Sequence, residues 1–189
     1  MIWFRSLFYY LFLFLSIPFF SLPMVLLGGI FPQAYSDYLA NTWARFNLWL
    51  QKVICGLHFH VEGLENMPDG QAFIAMAKHQ SAWETIALRC ILPAQQSWVL
   101  KQELLKLPFF GWALRFCCAI PINRKAGRRA VLEVVKNGTK QLNAGRTVVI
   151  FPEGTRTAPG QHKKYGLGGA ILAEQSGFPI VPIAHNAGV

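Results

Sequence analysis

Charge is scarce in this chain. Only 14% of its 189 residues are Asp, Glu, Lys or Arg, where soluble domains carry about 25%. With 53% hydrophobic residues beside that, a disordered chain, a charged coiled coil and a well-solvated cytosolic domain are all excluded. Acid is scarcer still: nine acidic residues stand against 18 basic ones, a net charge of +9. Cysteine is sparse, with Cys55, Cys90, Cys117 and Cys118 forming no CxxC pair. That excludes the disulfide framework of a small secreted domain and reads as reduced, buried thiols. Cys55, His58 and His60 lie close together, but no second ligand pair follows at zinc-site spacing, so no metal is expected. There is no P-loop spacing, no GxSxG elbow, no internal repeat and no low-complexity linker.

What is present divides in two. No charged residue occurs from Ser6 to Ser36, a run of 31, where about 20 apolar residues cross a bilayer. The run is too long for the apolar region of a signal peptide. Pro18 and Pro23 are expected to kink it, leaving a single span or a re-entrant insertion. Next, Leu39, Trp43, Phe46, Leu50 and Val53 form one helical stripe, with Arg45, Asn47, Gln51 and Lys52 largely off it. This helix either packs on the first as a hairpin, lies in the membrane interface, or faces an ordinary core. Residues 1–56 are therefore expected to be a membrane-associated helical segment and 57–189 a separate domain.

From Gly56 onward, short apolar runs alternate with helical patterns. Strands are expected at His58–Glu62, Ala72–Met76, Trp98–Leu100, Cys117–Ile120, Thr147–Phe151 and Ile180–Ile183. Helices are expected at Ala82–Ile91, Phe109–Arg115, Gly127–Leu142 and Gly168–Gln175. Such alternation predicts an α/β fold, a largely parallel mixed sheet flanked by helices. Pro182 places the last strand at an edge or bulge. The basic excess falls here: between Lys101 and Lys164 lie 13 basic residues and three acidic ones. A one-sided excess points to a polyanion, and beside an apolar N-terminus a lipid phosphate fits better than nucleic acid.

Three stretches carry chemistry. In KHQSAWE (78–84), His79 and Glu84 are five apart across a strand-to-helix turn. There a carboxylate can fix one ring nitrogen while the other removes a proton; a capping histidine beside a first-turn acid is the structural alternative. FPEGTR (151–156) pairs a tight turn at Gly154 with the Thr155 hydroxyl and the Arg156 fork, suited to phosphate or to simple strand closure. IPINR (120–124) brings Arg124 to the end of another strand.

These stretches, with KQELLKLPFFGW (101–112), GGAILA (168–173) and IVPIAHNAG (180–188), occur in an order that resembles the 1-acyl-sn-glycerol-3-phosphate acyltransferases of the glycerolipid acyltransferase superfamily, most nearly their bacterial form. The resemblance implies acyl transfer from acyl-CoA or acyl carrier protein to the sn-2 hydroxyl of lysophosphatidic acid, giving phosphatidic acid. It implies His79 as general base oriented by Glu84, and Lys101, Arg124, Glu153, Gly154, Thr155 and Arg156 around the substrate phosphate. It further implies no bound cofactor or metal, and a place at the cytoplasmic face of the inner membrane. The alternatives are a related acyltransferase with another lysolipid or glycerol-3-phosphate as acceptor, and a non-catalytic module for anionic lipid. Two departures stand out. The superfamily's acid is usually Asp, where Glu84 stands here. The chain also stops at Val189, just after the last motif, as expected of a C-terminally shortened form.

Overall fold

The computed structural model describes residues 2–187; Met1, Gly188 and Val189, and with them the last residue of the 180–188 stretch, lie outside it. The short apolar runs become five strands: β1 (Ile74–Ala77), β2 (Gln96–Lys101), β3 (Ile120–Ile122), β4 (Thr147–Ile150) and β5 (Ile180–Ile183). They form one sheet in the order β3-β2-β4-β1-β5. Every pairing is parallel, so the mixed sheet expected from the sequence is wholly parallel among the described residues. β4 is buried throughout, as a strand covered on both faces must be. Alternation splits its residues: Val148 and Ile150 join Ile74 and Ile120 in one core. Val149 joins Phe73, Ala75 and Ala77 in the other.

Helices cover both faces. α3 (Trp83–Ile91) supplies Leu88 to the Val149 side. α5 (Arg128–Asn143) and α6 (Gly168–Ser176) cover the Ile74 side through Val134, Val135, Leu142 and Leu172. The two helices cross closely at Gly138, where a Cβ would fall 2.7 Å from a Leu172 methyl. A short helix α4 (Phe110–Leu114) links β2 to β3. The exit of β1 runs through α3 toward β2, and that of the adjacent β4 runs through α6 toward β5. Neighbouring strands whose connections part to opposite faces open a crevice at their carboxyl ends.

The N-terminal third is a helical hairpin of α1 (Ile2–Leu27) and α2 (Gln33–Leu50). Asn47 meets Ser16, and beyond the end of α2 Cys55 Sγ meets Arg5 O near the start of α1, so the two helices run antiparallel. Pro18 and Pro23 do not break α1, which runs unbroken through both. Ser16, which bonds Trp43 Nε1 at 3.0 Å and Asn47 Nδ2 at 3.4 Å, ties the turn before Pro18 to α2. α1 leaves Trp3, Phe4, Leu7, Phe14 and Phe19 each more than 60% exposed, an apolar surface of the kind that marks contact with lipid or protein. By length and composition α1 can cross a membrane.

α2 buries a polar edge. Ser36, Asp37, Asn41 and Asn47 are its most enclosed polar residues, so Asn47, expected off the packing stripe, is fully buried. Asp37 receives both terminal nitrogens of Arg146 at 2.7 Å and Arg89 Nη2 at 3.2 Å. Arg146 also donates to Gln96 O at 2.6 Å and Ser97 Oγ at 3.0 Å. This triad fastens the hairpin to the amino ends of β2 and β4.

Two expected strands differ. His58–Glu62 is irregular and largely exposed; among the described residues its alternating pattern finds no neighbouring strand to complete. Cys117–Ile120 begins instead at Ile120, because Cys118 sits at φ 51°, outside strand geometry, while Cys117 packs on Met24 of α1.

Candidate active site

His79 lies in the turn between β1 and α3. Glu84, in the first turn of α3, folds back under it, with Oε1 2.7 Å from His79 Nδ1. The same oxygen accepts the amides of Gln80 and Ser81, each at 2.8 Å. Oε2 accepts the Ser81 amide at 3.0 Å and the Ser81 hydroxyl. Burial alone would raise the Glu84 carboxyl, but the hydrogen bonds from His79 and Ser81 outweigh it and hold the group at about 2. Glu84 is therefore ionised, and Nδ1 of His79 carries the proton it donates. In the neutral ring this tautomer leaves the lone pair on Nε2. The acid is sealed at 1% exposure, while the ring keeps 14%, so the imidazole presents only its far edge.

A depressed carboxyl stabilises the fold fully above its unfolded value, near 4.5, and loses that contribution as pH falls toward 2. The shift corresponds to about 3 kcal/mol. Thermal unfolding in detergent from pH 7 to pH 2 should show the wild type losing more stability below pH 4.5 than Glu84→Gln. Parallel curves would remove Glu84 as the titrating group.

The loop after β4 braces this pair from the other side. Phe151 stacks on the His79 ring, centroids 4.2 Å apart and planes 17° from parallel. Glu153 is buried, accepting the His79 amide at 2.9 Å and the Thr157 hydroxyl at 3.0 Å. The Thr157 amide donates to His79 O at 2.8 Å. Glu153, expected at the substrate phosphate, thus has both oxygens engaged inside the protein and holds the histidine loop instead. Gly154 turns the chain at φ +68°, a conformation that favours glycine, and leaves Thr155 and Arg156 exposed. His185, after β5, accepts the Ala187 amide on Nδ1 and so donates Nε2–H to Lys78 O, 2.6 Å away.

His79 and Arg156 border a cavity of about 380 Å³ between the hairpin and the sheet. Its walls are apolar: Leu13, Ile17 and Phe20 from α1, Trp43 from α2, Ile86 from α3 and Trp98 from β2. Polar groups are the minority of its lining: Ser21, Thr85 and Arg89 beside His79 and Arg156. Lys101, paired with Glu103 at 3.6 Å, and Arg124 stand at the carboxyl ends of β2 and β3, on the same edge of the sheet. Partial burial lowers the Arg124 pKa from its ordinary value, against the pull of Glu103. The structure thus brings His79 and Arg156 to one cavity with Glu84 buried behind the histidine, sets Lys101, Arg124 and Thr155 along the strand ends, and turns Glu153 inward. Sequence reasoning missed Thr157 and the stack on Phe151. Of its two candidates for the walls of an acyl-chain space, the aromatic N-terminus and Trp112, the first lines the cavity, through Leu13, Ile17, Phe20 and Met24 at helical spacing.

A buried carboxylate–imidazole pair thus borders an apolar cavity on the carboxyl edge of a parallel sheet. The family model described as Acyltransferase matches residues 58–186, and the chain belongs to that family. It is 45% identical over 157 residues to the 1-acyl-sn-glycerol-3-phosphate acyltransferase of Pseudomonas aeruginosa, covering 82% of this chain and 60% of that protein. It is 30% identical to the human 1-acyl-sn-glycerol-3-phosphate acyltransferase alpha, covering 72% and 48%. An Arabidopsis thaliana chloroplast relative of the same activity is 28% identical, covering 85% and 44%. The chain thus spans 60% or less of the length of these relatives. The crystal structure of the 1-acyl-sn-glycerophosphate acyltransferase PlsC from Thermotoga maritima shares the fold, with a TM-score of 0.73 at 22% identity, covering 94% of this chain and 71% of that one.

Proposed function

We propose that this protein transfers a fatty acyl group from an acyl thioester to the sn-2 hydroxyl of 1-acyl-sn-glycerol-3-phosphate, giving phosphatidic acid. The observation that carries this reading is the His79–Glu84 pair beside a cavity partly walled by the N-terminal hairpin. Nε2 of His79 takes the hydroxyl proton as the oxygen attacks the thioester carbonyl. The tetrahedral intermediate collapses with loss of thiolate, which receives that proton as the free thiol. Thiolate leaves readily, so the reaction needs neither an enzyme nucleophile nor a metal, and Ser81 stays committed to Glu84. Arg156, with Thr155, Arg124 and Lys101, holds the glycerol phosphate, and the cavity takes an acyl chain. The hairpin enters the bilayer through the exposed face of α1, bringing the cavity to its lipid substrate. Both thioester donors, acyl-CoA and acyl carrier protein, are cytosolic, which places the sheet on the cytoplasmic face.

The test is an assay of the detergent-solubilised protein with lysophosphatidic acid and radiolabelled acyl-CoA, reading phosphatidic acid. Glycerol-3-phosphate and other lysolipids serve as competing acceptors. Product formed only from another acceptor would overturn the assignment. Arg156→Ala should raise the KM for lysophosphatidic acid about 10–100-fold, the scale of a charged hydrogen bond. An unchanged KM would take Arg156 out of the phosphate site.

A further inference from the structure

Helix α5 carries basic charge that the site described above does not use. Its buried side is Ala130, Val134, Val135, Gly138 and Leu142. The opposite side presents Arg128, Arg129, Leu132, Lys136 and Lys140, all exposed. At 100° per residue these five fall within about a third of the helix circumference. None of the four cations is ion-paired among the described residues, and Glu133 is the one acid in the helix. Leu132, 56% exposed, lies one turn from Arg128, Arg129 and Lys136. The face is thus one exposed leucine among four unpaired cations.

The sheet separates this face from the hairpin. α5 packs on the Ile74–Val148 side, whereas α3 and the cavity walled by α1 lie on the other. The stripe therefore points away from the apolar surface of α1, which disfavours a bilayer as its partner. It starts just after Arg124 at the rim of the site and, from Arg128 to Lys140, runs about 18 Å along the helix, longer than a single phosphate group needs.

We propose that the α5 face docks an acidic protein that delivers the acyl chain as a thioester. This rests on the acyl-transfer reading. Of the two donor classes that reading admits, the protein-borne one offers a complementary surface of this length. Opposite charge across such a contact steers encounter and fixes orientation, so that the tethered thioester meets the cavity near Arg124.

The test compares two donors, palmitoyl-CoA and a bacterial acyl carrier protein loaded with the same chain, on the wild type and on Arg128→Glu/Arg129→Glu/Lys136→Glu. The triple variant should raise the KM for the carrier-borne donor at least tenfold and leave the palmitoyl-CoA kinetics within twofold. Calorimetric titration with unloaded carrier protein should show the same weakening, and binding to the wild type should fall steeply with salt. Leu132→Ala, which keeps the charge, should weaken carrier binding without altering the palmitoyl-CoA rate. Equal loss with both donors would assign the stripe to the nucleotide phosphates of CoA or to the fold. Loss of binding to anionic vesicles with carrier binding intact would assign it to lipid headgroups. Unchanged carrier binding overturns the proposal outright. If neither donor is turned over, the acyl-transfer reading fails, while the titration still decides the docking surface.

Discussion

His79→Ala should lower turnover by about 10²–10⁴-fold, the range that a positioned general base contributes, while leaving substrate binding nearly unchanged. The imidazole borders the cavity, stacks on Phe151 and bonds Glu84, so its removal deletes the base and also lowers stability through the lost stack and hydrogen bond. The geometry makes the expectation sharp. With Glu84 ionised and already accepting two backbone amides, its position does not depend on the ring. The variant keeps the loop and loses the base. Steady-state kinetics on detergent-solubilised protein check this. A variant retaining near-wild-type turnover would remove His79 as the base and leave the residual acyl transfer to the positioning of two substrates.

The largest effect on stability should come from Asp37→Ala. That change leaves two guanidiniums, Arg89 and Arg146, buried without their shared carboxylate. Breaking a buried ion pair by removing one partner costs about 3–5 kcal/mol, which for a chain of this size lowers Tm by about 6–20 °C. Removing the whole polar set, as Asp37→Leu/Arg89→Leu/Arg146→Met, should recover much of the loss, since the cost lies in the orphaned charges. Thermal unfolding followed by tryptophan fluorescence measures both. If Asp37→Ala melts within about 2 °C of the wild type, the triad is not what holds the hairpin to the sheet.

Local chemistry was legible in the sequence wherever it is short-range. His79 and Glu84 are five residues apart and meet across one turn, so spacing alone joined them. The parallel sheet was legible because strands buried on both faces leave continuous apolar runs, as Thr147–Ile150 does. What was hidden depends on pairing at long range. Glu153 in FPEGTR has the same neighbours whether it faces substrate or folds inward; only the approach of the His79 amide, 74 residues away, decides. Asp37 likewise stands beside an apolar run with no mark of its two arginine partners, which lie 52 and 109 residues on. His58–Glu62 shows the reverse: alternation is a local property, but a strand also needs a neighbour.

The cavity wall has a consequence for engineering. Leu13, Ile17 and Phe20 close the same space that His79 opens onto, so the apolar N-terminal helix and the cavity are one object. Exchanging residues 2–50 for an unrelated membrane anchor of equal length would keep the chain at the lipid surface yet strip one side from the chamber. Modularity, common where a tether only tethers, is denied to this molecule.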